Sequence, residues 1–412
     1  MIGAIATIPG SPLNRETKDE KLTKQATVLS ARGPNGIRQS DLLFQPVKVG
    51  PLELKNRIVM APMTRAMSPG GVPGENVAQY YRRRAAGGAG LIVTEGTFIP
   101  HRSSGHDQNA PRFYGDDALA GWKRVVDEVH SAGAKIFPQL WHVGLIRKPK
   151  VGGAEGVFDD DSRGGRRVGP SGITGGNDLP LAHVSEPATQ QEIDEIVEAY
   201  GIAAESARRL GFDGVEVHGA HGYLIDQFLW DKTNLRADRY GGNISRRSRF
   251  GADVIREIRR RVGTDFCVTL RISTWKQQDY SAKLATSPAQ WEQIVTPLAE
   301  AGVDAFHVSQ RRFWEGEFGS DINLAGWTKK LTGKPTITVG SLTLNNSMME
   351  MMEGKGGTPE DNLAPLYRGF ERGDYDLVAI GRAMIANPDW ALKIRKGESL
   401  RPYSLTMLHA LD

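Results

Sequence analysis

The stretch Gly214-Val-Glu-Val-His218-Gly-Ala-His221-Gly-Tyr223-Leu-Ile-Asp-Gln-Phe-Leu229 passes from a short apolar strand directly into a cluster of polar chemistry. Val215 and Val217 alternate with Glu216 and His218 between Gly214 and Gly219, which predicts a strand ending at His218. Two imidazoles and a phenol follow within six residues. A strand end requires none of them, and the intervening glycines are expected to let the backbone approach a ligand closely.

Outward from this stretch the same unit recurs. Short apolar runs fall at 58–63, 90–95, 135–141, 268–273, 305–309, 335–340 and 377–381, and 214–218 makes eight strands. Helical character is expected over 75–87, 116–132, 190–210, 246–262, 287–301, within 343–373 (including 360–372) and near 388–397. Glycine follows the last turn in Ser131-Ala-Gly133, Leu210-Gly211, Val262-Gly263 and Ala301-Gly302. Eight strand and helix alternations predict one closed (β/α)8 TIM barrel over 41–412, preceded by a hairpin at 43–55 with a Gly-Pro turn. No Gly-x-Gly-x-x-Gly follows a strand, which argues against a dinucleotide-binding sheet.

In such a barrel the chemistry belongs at the C-terminal strand ends, and there the apolar pattern breaks. Gln139 and Trp141 share one parity of the third strand, and Arg271 sits near the end of the fifth. Burying a glutamine and an arginine is costly without polar partners; each alone could serve the fold, Arg271 by pairing with Glu216 inside the barrel. The first strand closes on Ala61-Pro-Met-Thr64-Arg65 and the second on Thr94-Glu95-Gly96. Gly340-Ser341 and Gly381-Arg382 end the last two strands, the second running into a helix near Ala383. Glycine turns, a cation and a helix start at that position suit a phosphate.

Three readings stand for His218, His221 and Tyr223. They are satisfied polar groups of a packed loop; or two ligands of a metal, though no Cys or carboxylate sits at ligand spacing; or two imidazole donors for a carbonyl or nitro oxygen beside a phenol of pKa about 10 that can supply a proton.

Composition narrows the class. At 412 residues, with 39% hydrophobic and 8% aromatic residues, the chain builds a full core. Cys267 is the only cysteine, which excludes disulfides and cysteine-bound clusters and fits a reducing, cytoplasmic compartment. No apolar run is long enough for a membrane span. The net charge is +4, but the first 40 residues carry six cations against three anions, leaving the rest near +1. A nearly neutral body is not expected to bind nucleic acid, and Arg82-Arg83-Arg84 and Arg259-Arg260-Arg261 read as solvated helix faces. Residues 1–40 read as a flexible arm without a secretory signal.

Taken in order, these segments resemble the old yellow enzyme family of FMN-dependent ene-reductases. The likeness runs from about 41 to 401. It rests on Ala-Pro-Met-Thr-Arg (61–65), Gln-Leu-Trp (139–141), His-Gly-Ala-His-Gly-Tyr-Leu (218–224), Asn-Leu-Arg-Ala-Asp-Arg-Tyr-Gly-Gly-Asn (234–243), Leu-Arg-Ile-Ser (270–273) and Gly-Arg-Ala-Met-Ile-Ala-Asn-Pro-Asp (381–389). It implies a tightly, non-covalently bound FMN, with NADPH or NADH as reductant and an electrophilic alkene as substrate. Pro62, Met63, Thr64 and Gly96 would contact the ring, Gln139 and Arg271 its pyrimidine edge, and Gly340, Ser341, Gly381 and Arg382 the phosphate. His218 and His221 would bind the substrate oxygen, Tyr223 would donate the proton, and Thr64 and Trp141 would line the substrate side. One site serving both substrates in turn implies ping-pong kinetics, in a monomer or homo-oligomer. Departures lie in the insertion 145–183 and in Trp275-Lys-Gln-Gln-Asp-Tyr280. The alternatives are an FMN amine dehydrogenase or demethylase of the same family, a flavin-binding barrel without turnover, or a metal-dependent hydrolase using His142, His218 and His221.

Overall fold

A computed structural model describes residues 38–146, 166–176, 179–346, 350 and 357–412. The expected arm lies outside these residues up to 37; Gln39–Phe44 form a 3-10 helix with Ser40 and Leu43 buried.

A two-stranded hairpin, β1 (Val47–Val49) and β2 (Leu52–Leu54), comes first, its Gly50 turn at φ 55°. The barrel follows: β3 (Ile58–Met60), α1 (Glu75–Ala86), β4 (Leu91–Phe98), α2 (Asp116–Ser131) and β5 (Lys135–Trp141). A small hairpin, β6 (Ile173–Gly176) and β7 (Leu179–His183), precedes α3 (Gln190–Leu210), β8 (Gly214–His221), α4 (Leu224–Leu229), α5 (Ile244–Arg247), α6 (Arg249–Val262) and β9 (Cys267–Lys276). The chain continues with α7 (Pro288–Glu300), β10 (Ala305–Ser309), α8 (Leu324–Thr332), β11 (Thr336–Val339), α9 (Leu363–Arg372), β12 (Leu377–Ile380), α10 (Arg382–Ala386) and α11 (Trp390–Lys396).

Eight parallel strands close in the order β3-β4-β5-β8-β9-β10-β11-β12, with β12 pairing back on β3. Both faces of these strands are covered, so the runs read as continuous apolar segments. Inside, Val59, Val93, Phe137, Cys267, Ile337 and Leu377 pack on Val49 and Leu54, so the hairpin plugs the N-terminal end. The opposite end is left for the site. Helix ends follow local chemistry: Thr189 and Glu192 form a capping box on α3, and Gly211 closes it at φ 88°.

The structure departs from expectation in several places. β8 runs to His221 rather than stopping at His218, and β9 runs to Lys276, because a register shift between Gly219 and His221 lets His221 pair with Lys276. Gly219 and Gly222 are required by packing within the fold. A Cβ on Gly219 would lie 2.9 Å from Leu270 Cδ1, and Gly222 has φ 81° with Gln278 Oε1 where its Cβ would stand. α8 was not anticipated, whereas α10 and α11 fall where helices were expected, near Ala383 and near 388–397.

The insertion contains the β6–β7 hairpin; 147–165 and 177–178 lie outside the described residues. The arginine runs are not simply solvated. Arg84 is buried, stacks 3.8 Å over Tyr80, and donates to the carbonyls of Tyr80, Met384, Ile385 and Asp412. Arg259 is half-buried between Asp304 and the Gly302 and Phe266 carbonyls. No helix among the described residues is long and apolar enough to cross a membrane.

Candidate active site

A cavity of about 530 Å³ opens at the C-terminal end of the barrel. Pro62, Met63, Thr64, Gln139, Trp141, His218, His221, Tyr223, Arg271, Gly340, Ser341, Gly381 and Arg382 all line it. Gly96 does not; its missing Cβ makes room for the Trp141 indole, 2.8 Å from where that atom would be.

At one rim the aromatic groups stand edge to face. The His218 and His221 rings are 5.2 Å apart at 88°, and Tyr223 lies 4.8 Å from His218 and 5.0 Å from Trp141. Burial first, then the Arg271 charge, holds both imidazoles well below their ordinary pKa. Burial raises the Tyr223 phenol. Both rings are thus neutral and the phenol is protonated at neutral pH. His218 Nδ1 accepts the Ala220 N–H at 3.4 Å, placing the ring proton on Nε2.

The β9 end and the turn after it secure this rim through the 275–280 segment, where the sequence departs from the family pattern. Trp275 packs on the His221 ring at 4.5 Å and donates Nε1 to the Ser309 carbonyl. Lys276 Nζ pairs with Asp226 Oδ1 at 2.6 Å, both fully buried, and Asp226 Oδ2 accepts the Gly222 N–H at 2.7 Å. Gln277 Nε2 donates to the Tyr223 oxygen at 2.8 Å. Ser309 was also missed: its Oγ lies 2.8 Å from His221 Nε2. Glu216 pairs with His307 and Gln139, not directly with Arg271.

Arg271, 8% exposed, donates one Nη1 bond of 3.5 Å to the Pro62 carbonyl, and its Nε has no partner among the described residues. Trp141 Nε1 and Tyr403 Oη, also on cavity residues, are buried and equally unpartnered. Stranded buried donors cost free energy unless a ligand accepts from them. At the far end Arg382 Nη2 reaches the Asn346 carbonyl at 2.7 Å and Ser341 Oγ at 3.5 Å. A Cβ on Gly340 would lie 2.5 Å from the Gln310 carbonyl, so only glycine fits that turn. α10 spans only five residues, so Arg382 and the backbone turns, rather than a long helix start, make this end electropositive. A buried guanidinium at one end and a cationic glycine cradle at the other fit a flat heterocycle carrying a phosphate.

His142 does not join the histidines. It is fully buried, bonded to Ser103 Oγ and the Gly144 N–H, and off the cavity. Among the described residues no group of three or more His, Cys, Asp or Glu could hold a metal ion.

One further group holds the loop after β3. Glu95 Oε2 accepts the Arg65 and Ala66 N–H groups at 2.9 and 2.8 Å, and Ala66 stands at φ 50°. Burial outweighs those two bonds and raises the carboxyl to about 7. The folded protein therefore binds this proton more tightly than the unfolded chain. That contribution is complete below about 4.5 and is lost as pH rises through about 7. Moving the pKa from 4.5 to about 7 corresponds to roughly 3 kcal/mol. Glu95→Gln is expected to gain about that much relative to wild type between pH 4.5 and 8 in urea unfolding; parallel pH profiles would refute it.

Fold and cavity define a (β/α)8 barrel whose C-terminal mouth suits a flat phosphorylated cofactor. The profile of the NADH:flavin oxidoreductase / NADH oxidase family matches residues 42–358. The chain is 34% identical over 365 residues to a chanoclavine-I aldehyde reductase of Penicillium roqueforti, covering 88% of this chain and 91% of that one. It is 35% identical over 378 residues to 12-oxophytodienoate reductase 7 of Oryza sativa subsp. japonica, covering 88% and 89%. The old yellow enzyme homologue of Zymomonas mobilis superposes with TM-score 0.71 at 27% identity, over 90% of this chain and 98% of that one. The protein belongs to the NADH:flavin oxidoreductase / NADH oxidase family, the old yellow enzyme family. It is an NAD(P)H-dependent flavin oxidoreductase of the ene-reductase class, and its cofactor is FMN.

Proposed function

We propose that this cavity reduces the carbon–carbon double bond of an alkene conjugated to an aldehyde, ketone, imide or nitro group. The observation that carries this reading is the rim itself: two neutral imidazoles 5.2 Å apart with a buried phenol 4.8 Å from the first. Neutral rings bind an oxygen as N–H donors. His218 offers Nε2–H; with Ser309 at Nε2 of His221, Nδ1 is the nitrogen left to serve the substrate. Drawing electron density onto that oxygen makes the β-carbon electrophilic.

When bound, FMN supplies to that β-carbon a hydride taken from NADH or NADPH. Tyr223 gives its Oη proton to the α-carbon. Gln277, donating to the same oxygen, turns the O–H away from itself and steadies the phenolate left behind. Gln139 and Arg271 would hold the pyrimidine edge, where a buried guanidinium favours negative charge. Pro62, Met63 and Thr64 would hold the ring, and Gly340, Ser341, Gly381 and Arg382 the phosphate. Trp141 and Thr64 border the substrate.

An anaerobic visible spectrum of the FMN-loaded protein tests this. NADPH is expected to bleach the flavin band and cyclohexenone to restore it. A band that bleaches and stays bleached with the enone would reject the substrate class while leaving the cofactor in place.

A further inference from the structure

Glu216 and His307 lie inside the barrel with no exposure, and the chemistry above does not use them. Glu216 Oε2 is 2.7 Å from His307 Nδ1, and its Oε1 accepts Gln139 Nε2 at 2.8 Å. A carboxylate only accepts, so the Gln139 amide must turn its NH2 to Glu216 and its carbonyl away. The strands bring Arg271 to this pair: on β9 it stands in register with His307 on β10 and with His218 on β8.

Burial alone would raise the Glu216 carboxyl; His307 and Arg271, then Gln139, together bring it below its ordinary value. It is a carboxylate at neutral pH. Burial lowers His307 despite Glu216, so the ring is neutral, donates from Nδ1 and keeps an unpartnered Nε2 among the described residues. Among the described residues, the carboxylate whose charge acts on the Arg271 guanidinium is Glu216, which His307 and Gln139 steady. Like charges near a redox group disfavour adding electrons to it, and Glu216 offsets the cation that would favour them.

We propose that Glu216, held by His307, lowers the reduction potential of the bound flavin by opposing Arg271, and presents the Gln139 carbonyl to the cofactor. These are positioning and tuning roles; neither residue touches substrate. The inference rests on the FMN site proposed above.

E216Q removes the charge and keeps the shape. Its carbonyl still accepts from Gln139, and His307 accommodates the new NH2 by moving its proton to Nε2. FMN affinity is expected to stay at the wild-type value while the potential, measured by dye-equilibrated titration, moves upward. A second pair of variants reads the same effect by another route. H307N keeps an N–H where Nδ1 stood and should leave the potential unchanged. H307L leaves a buried carboxylate short of a donor, so the carboxylate takes up a proton and the potential rises as in E216Q. An unmoved or lowered potential in FMN-loaded E216Q, or H307L matching H307N, overturns the assignment. A wild-type protein that takes up no FMN would instead overturn the cofactor site, and this assignment with it.

Discussion

Tyr223→Phe is expected to be reduced by NADPH at the wild-type rate and to be reoxidised by an enone about 10²–10⁴-fold more slowly, the usual worth of a positioned general acid. The substitution takes away the Oη proton and little else. The ring keeps its edge-on packing against His218 at 4.8 Å and Trp141 at 5.0 Å. Gln277 loses one acceptor, which costs stability only about 1 kcal/mol. The two half-reactions separate the possibilities. A folding defect or a misplaced cofactor slows both, whereas loss of the proton donor slows only the second. Stopped-flow absorbance of each half-reaction is the measurement, and wild-type reoxidation by the variant would remove Tyr223 from the chemistry.

The barrel was legible because each parallel strand is buried on both faces and each helix carries its own end signal, as Thr189 and Gly211 do for α3. β5 and β10 fall where the apolar runs predicted, at Lys135–Trp141 and Ala305–Ser309. The cavity residues were legible for the opposite reason: Gln139, Arg271 and the histidines interrupt apolar runs at strand ends. What stayed hidden depends on register. Lys276 meets Asp226, and Ser309 meets His221, across 50 and 88 residues of chain. Which side chains face each other is set by the shift between Gly219 and His221, and no local period reports it. α8 escaped notice because its nine residues follow a glycine-containing loop and are too short to show a strong period. Arg84 looked like one of three surface cations; the Met384 and Ile385 carbonyls that bury it lie about 300 residues away.

Lys276→Met is expected to cost about 3–5 kcal/mol of stability, the usual effect of stranding one member of a buried ion pair. Lys276 and Asp226 are both fully buried, 2.6 Å apart. Burial pushes Asp226 up and Lys276 down, and each group's charge pulls the other back, so neither is stable there alone. The pair sits beneath the turn that carries His221 and Tyr223. Asp226 Oδ2 holds the Gly222 N–H, and Gly222 at φ 81° and His221 at φ 65° are left-handed residues that need such support. Methionine fills the lysine's volume, so the loss measures charge and hydrogen bonding rather than a cavity. The double variant Lys276→Met/Asp226→Asn removes both charges and keeps an oxygen for Gly222. It is expected to recover most of the loss in urea unfolding, because replacing a buried pair with neutral groups is often close to neutral. If the double variant is as unstable as the single one, the lysine supports the turn through its own bond to the Thr274 carbonyl, 3.1 Å away, rather than through Asp226.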